Sequence, residues 1–103
     1  MNKSDELRAK RDAELAQAES YYRHHQNNLE EEREALKSQA EKKQANGENI
    51  DAEVEAYNAK GRLQDRNFDN YVKHREKIYS SYESQIQEAE QQEEEERNAE
   101  YGM

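Results

Sequence analysis

Cysteine is absent, which excludes disulfide cross-links and thiolate chemistry. Proline is absent too, so no residue obliges a helix to stop or kink. Glycine occurs only at positions 47, 61 and 102, which leaves no glycine-rich loop to cradle a phosphate. Hydrophobic residues make up 31% of the chain against 40% charged, at a mean hydropathy of −1.68, so large apolar side chains are too few to fill a globular core. No apolar run approaches the length of a membrane span, and Met1–Lys10 lacks the apolar stretch of a signal peptide. A soluble, cytoplasmic protein is expected. No serine stands beside a credible base, and a thin helical protein offers no pocket to tune a carboxyl group, so a non-enzymatic protein without cofactor or metal is expected.

The charge that is present is mostly acidic. The formal net charge is −9, which argues against nucleic acid or an anionic membrane as a direct partner. Residues 88–103 hold seven Glu and one Arg and so contribute −6, leaving −3 for the other 87 residues. The body is nearly balanced and the C-terminal end is acidic.

Against this polar background the apolar residues are periodic. From Ile50 to Ala89 a seam returns every three or four positions: Ile50, Val54, Tyr57, Gly61, Gln64, Phe68, Tyr71, Arg75, Ile78, Tyr82, Gln85, Ala89. That rhythm is a coiled-coil seam with four weak or polar members, Gly61, Gln64, Arg75 and Gln85. Upstream runs a weaker stripe: Leu7, Arg11, Leu15, Ala18, Tyr22, His25, Leu29, Glu32, Leu36, Gln39. Ser4 is a candidate N-cap, with Asp5 and Glu6 in the first turn where the helix dipole favours anions. Asn46-Gly47 reads as a helix stop with Gly47 left-handed at C′, and Asn49 or Asp51 can cap the helix that follows. The chain is therefore predicted to be all-α, an antiparallel two-helix coiled-coil hairpin over residues 1–93. Its helices span about 4–45 and 50–93, with the turn at 46–49. Residues 94–103 are expected to fray, because Glu93 to Glu96 place like charges at a helix C-terminus, against its dipole.

Folding at the turn opposes Leu36 with Tyr57, His25 with Phe68, Tyr22 with Tyr71, and Leu15 with Ile78, while Glu32 meets Gly61. A slip of one heptad, opposing Leu29 with Tyr71, buries most of the same set. Val72, Tyr79 and Ile86 also recur by sevens and widen the apolar face of helix 2, as in bundles of more than two helices. They are candidate partner-binding residues, for a second copy in a four-helix bundle or for another protein. Tyr21-Tyr22-Arg23-His24-His25 and Tyr71-Val72-Lys73-His74-Arg75 place Tyr, a basic residue and His at matching offsets. Tyr21, His24 and His74 would rim a patch that is either a partner hot spot or a set of amphipathic seam fillers. His24, His25 and His74 lack a facing carboxylate pair, and neighbouring histidines point to different helix faces, which speaks against a metal site.

By size, acidity and two-helix plan the chain resembles small secreted helical-hairpin proteins that carry Trp-x-Gly at their turn. The turn here reads Ala45-Asn46-Gly47-Glu48 and the chain has no Trp, so the likeness stops at architecture. A Tyr-x-x-x-Glu match at Tyr79–Glu83 is expected by chance in so acidic and tyrosine-rich a chain. The stalk and chaperone-escort proteins of bacterial secretion ATPases are similar in the same limited sense. The sequence reading is a coiled-coil adaptor, spacer or assembly component of bacterial or phage type that binds a protein partner along helix 2. The alternative is an acidic inhibitor that occupies a nucleic-acid-binding site on its target by charge mimicry.

Overall fold

A computed structural model describes residues 2–101, and among these the chain forms two α-helices and no strand. Helix α1 covers Lys3–Ala45 and α2 covers Asp51–Tyr101. The fold is the expected all-α antiparallel hairpin. It divides into two units. Unit 1 comprises residues 2–18 and 73–101, and unit 2 comprises residues 19–72.

Unit 2 contains the turn. Gly47 sits at φ 72°, its N–H donates to the Gln44 carbonyl at 3.0 Å, and the Glu48 N–H donates to the Lys43 carbonyl at 2.9 Å. These are the two bonds of a Schellman motif with Gly47 at C′. Asn49 Oδ1 then accepts from the Asp51 N–H at 2.8 Å and leads into α2. A Cβ added at Gly47 would meet nothing within 4 Å, so any strain there belongs to the backbone alone. Gly47→Ala is expected to cost about 1 kcal/mol through the left-handed conformation, and Gly47→Asn distinctly less, as read by urea denaturation. Equal costs for the two would mean that something other than φ is at work.

Unit 1 ties α2 to the first turn of α1. Asn2, not Ser4, is the N-cap: its Oδ1 accepts from the Asp5 N–H at 2.9 Å. Ser4 turns inward instead, and both its N–H (3.0 Å) and its hydroxyl (2.8 Å) donate to the Glu93 carboxylate. Arg8 pairs with Glu90 one turn away. Leu7, Ile86 and Ala89 form the buried core, with Tyr82 packed against it.

Helix α2 continues to Tyr101, past the expected end near residue 93. Each repelling glutamate pair costs only a few tenths of a kcal/mol, whereas Glu94, Glu95, Glu96, Arg97, Ala99 and Glu100 are all strong helix formers. Positions 102 and 103 of the expected frayed tail lie outside the described residues.

The inward positions follow a rhythm of eleven more than of seven. Leu7, Ala18, Leu29 and Ala40 on α1 are buried or half-buried at that spacing, as are Ala56, Asn67, Ile78 and Ala89 on α2. Eleven residues make close to three turns of an ordinary α-helix, whereas a seven-residue column drifts about 20° per repeat. Several expected seam positions therefore leave the interface. On α1, Gln26, Arg33 and Ala40 stand where His25, Glu32 and Gln39 were expected. On α2, Glu53, Asn67 and Ile86 replace Val54, Phe68 and Gln85.

Candidate interaction surface

In unit 2 the expected register holds. The Tyr22 and Tyr71 rings stack at 4.4 Å and 15°, and Tyr22 meets Phe68 edge-on at 6.2 Å. Asn67 Nδ2 donates to Gln26 Oε1 at 3.1 Å, and Gln26 Nε2 donates to the Tyr22 hydroxyl at 3.1 Å. Leu36 and Tyr57 line one open groove of about 240 Å³ near the turn, together with Lys37, Ala40, Glu53 and Val54. Glu53 is buried there and takes the Lys43 ammonium on Oε1. That bond holds the Glu53 carboxyl below the usual range and raises Lys43.

The candidate residues of unit 2 fall on its surface to different degrees. Tyr21 is 68% exposed and its ring meets His25 edge-on at 4.5 Å. His24 is exposed and shares a hydrogen bond with Asn28 at 3.3 Å. His25, expected in the core, is exposed as well, because Gln26 takes the inward position. Val72 is half-buried, and Phe68 stands 49% exposed.

In unit 1, His74 is exposed. Tyr79 is largely open to solvent, with the guanidinium groups of Arg11 and Arg75 at 5.8 and 5.9 Å from its ring centre. Ile86 corrects the sequence reading: it is only 7% exposed and belongs to the core with Leu7, so it is not a free outer column. It stands four residues after Tyr82 and three before Ala89, on the helix face that meets Leu7. Tyr79 and Ile86 do line one depression, together with Arg8, Arg11, Glu83 and Glu90. Burial raises the Tyr82 hydroxyl, with help from the Glu14 carboxylate.

The Glu93 carboxyl is held below the usual range, first by the Ser4 N–H, then by the Ser4 hydroxyl and the Arg8 and Arg97 charges, against the opposing effect of burial. Glu53 is lowered likewise. A carboxyl with a depressed folded pKa adds stability above its unfolded pKa and loses it as the pH falls through the folded value. The melting temperature is therefore expected to fall on acidification below about pH 4.5. Glu93→Gln should remove part of that fall and lower the melting temperature at pH 7. Truncation after Gln92 should also lower it, because Glu93 goes, whereas truncation after Arg97, which keeps these partners, should not. Thermal melts from pH 3 to 7 check all three, and an unchanged Gln92 truncation would remove the role assigned to Glu93.

One residue that the sequence reading passed over is Arg33. Its guanidinium lies 3.9 Å from the Tyr57 ring centre and donates to Gln64 Oε1 at 2.9 Å. The signal was its place four residues after Leu29 and three before Leu36, both half-buried. Among the described residues no cluster of three or more His, Asp or Glu is placed to hold a metal ion, and no helix is long and apolar enough to cross a membrane. Comparison of the chain with protein-family models, with curated proteins and with solved structures found no match.

Proposed function

We propose that this chain is a non-enzymatic coiled-coil adaptor, spacer or assembly component that docks a protein along α2. The observation that carries the reading is the apolar surface that α2 leaves exposed. In unit 2 these side chains are Val54, Leu63 and Phe68, and in unit 1 Tyr79 and Tyr101. Single exposed apolar residues are ordinary. Here they are drawn from a chain that is only 31% hydrophobic, and Val54 and Phe68 are expected seam residues that stand 44% and 49% exposed. Rigid helices that present aromatic anchors suit protein docking, where a few such residues dominate the binding energy. A second copy of the chain, giving a four-helix bundle, is one such partner.

Sedimentation of the purified chain, together with affinity capture from its native source, tests the reading. Phe68→Glu and Tyr79→Glu are each expected to weaken self-association or partner capture about tenfold or more, with helicity unchanged. A chain that stays at 12.2 kDa and captures the same proteins with and without both substitutions would remove the proposal.

The charge-mimicry reading draws on a different observation. Glu94, Glu95, Glu96 and Glu100 ride on an ordered helix and form no ion pair among the described residues. Competition between nucleic acid and the chain for a captured target, lost on truncation after Glu94, distinguishes it from docking through Phe68 and Tyr79.

A further inference from the structure

Unit 2 carries several polar contacts across its interface, Lys43 with Glu53 and Asn67 with Gln26 among them, and the layer around Arg33 is the one built beside a glycine. The Arg33 guanidinium reaches across from α1, covers Tyr57 at 3.9 Å and donates to Gln64 Oε1 at 2.9 Å. Gln64 Nε2 returns to α1 and donates to Glu30 Oε2 at 2.9 Å. Gly61 makes the room: a Cβ there would stand 3.2 Å from Arg33 Nη2 and 3.3 Å from its Cζ. The layer is not a minimum of polar cost, because Arg33 Nε is buried with no hydrogen-bond partner. A hydrophobic layer of the same volume would avoid that penalty.

The alternative pairings of these helices show what the layer distinguishes. A shift of one heptad still opposes some apolar residues with apolar ones, for example Leu29 with Tyr71 and Tyr22 with Ile78. Arg33 does not tolerate the shift. Moved by seven in one direction, it loses Gly61 and meets Phe68. Moved by seven in the other, it meets Val54. Both put a side chain where Gly61 has none, and the first also puts Gln64 in the place of Tyr57 beneath the guanidinium. Gly61 is the only glycine between the turn and the end of unit 2. A buried polar residue that has its partners in one pairing alone selects that pairing, at some cost in stability.

We propose that Arg33, with Tyr57, Gly61 and Gln64, is a register lock that selects one helix pairing out of several with similar apolar burial. Without it the hairpin folds, but into a mixture of registers.

The test uses the full chain, whose lack of cysteine allows clean labelling. Spin labels on Asn27→Cys and Arg66→Cys, both exposed in unit 2, report the register as a distance. The parent should give one narrow distribution. Arg33→Leu with Gln64→Leu should keep its helicity and an equal or higher melting temperature. It should show a second population, more than about a tenth of molecules, whose helices are displaced along each other by about 10 Å, one heptad of helical rise. Arg33→Lys, which keeps the charge without the planar fork, should show the same mixture. A single parental distance in both variants overturns the lock. Loss of helicity in the Leu variant also overturns it, because the layer would then supply stability and not selection.

Discussion

Ile86→Ala is expected to lower the unfolding free energy by about 2–4 kcal/mol, the usual cost of emptying a buried aliphatic position. For a chain of this size that corresponds to a fall in melting temperature of about 10 °C or more. The reason is its place in unit 1, where it is 7% exposed and closes the small core with Leu7 and Ala89. Few other residues share the load, since no large side chain among those described is fully buried. Tyr79→Ala, one heptad earlier in the same sequence column, should cost less than about 1 kcal/mol, because the residue is 44% exposed and the Arg11 and Arg75 guanidinium groups stand 5.8 and 5.9 Å from its ring centre. Urea denaturation of the two variants checks the contrast. Equal effects would mean that the seven-residue column is a single surface after all.

Tyr22→Ala and Tyr71→Ala are each expected to cost about 2 kcal/mol, from lost apolar burial plus the loss of their stacked contact at 4.4 Å. The double variant should cost less than the two singles added together, by about 0.5–1.5 kcal/mol, the coupling of an aromatic pair. Tyr21→Ala should stay within about 0.5 kcal/mol of the parent, because that ring points to solvent. The cycle also reports register. A one-heptad slip separates Tyr22 from Tyr71, and their coupling would then vanish.

Both expectations turn on which side of a helix a residue faces, and there the sequence was informative only in part. It located the helices and the turn at Asn46-Gly47, because capping residues, a left-handed glycine and a short connection act locally, and it offered the opposition of Tyr22 with Tyr71 beside a one-heptad alternative. It misplaced His25, Phe68 and Ile86 by one position each. A seven-residue template, laid on helices whose contacts repeat near eleven, gains about 20° of error per repeat. The N-cap was misread for a related reason. Ser4 and Asn2 are both good capping residues, and only the arrival of Glu93 at the Ser4 N–H and hydroxyl turns Ser4 inward and leaves the cap to Asn2.

The amino-acid sequence by itself determined that this protein is helical, that it has two helices, where it turns, and that its surface is acidic towards the C-terminal end. These follow from absent proline, sparse glycine, 3.6-residue periodicity and charge counts, all of which act within a few residues. Tertiary structure decided which apolar residues are core and which are surface, and that Arg33 occupies the space beside Gly61. Those outcomes depend on how one helix meets another. Exposed Phe68 and buried Ile86 differ neither in apolar character nor in helix propensity by enough to tell them apart along the chain. Only the facing helix, through Tyr22 in one case and Leu7 in the other, distinguishes them.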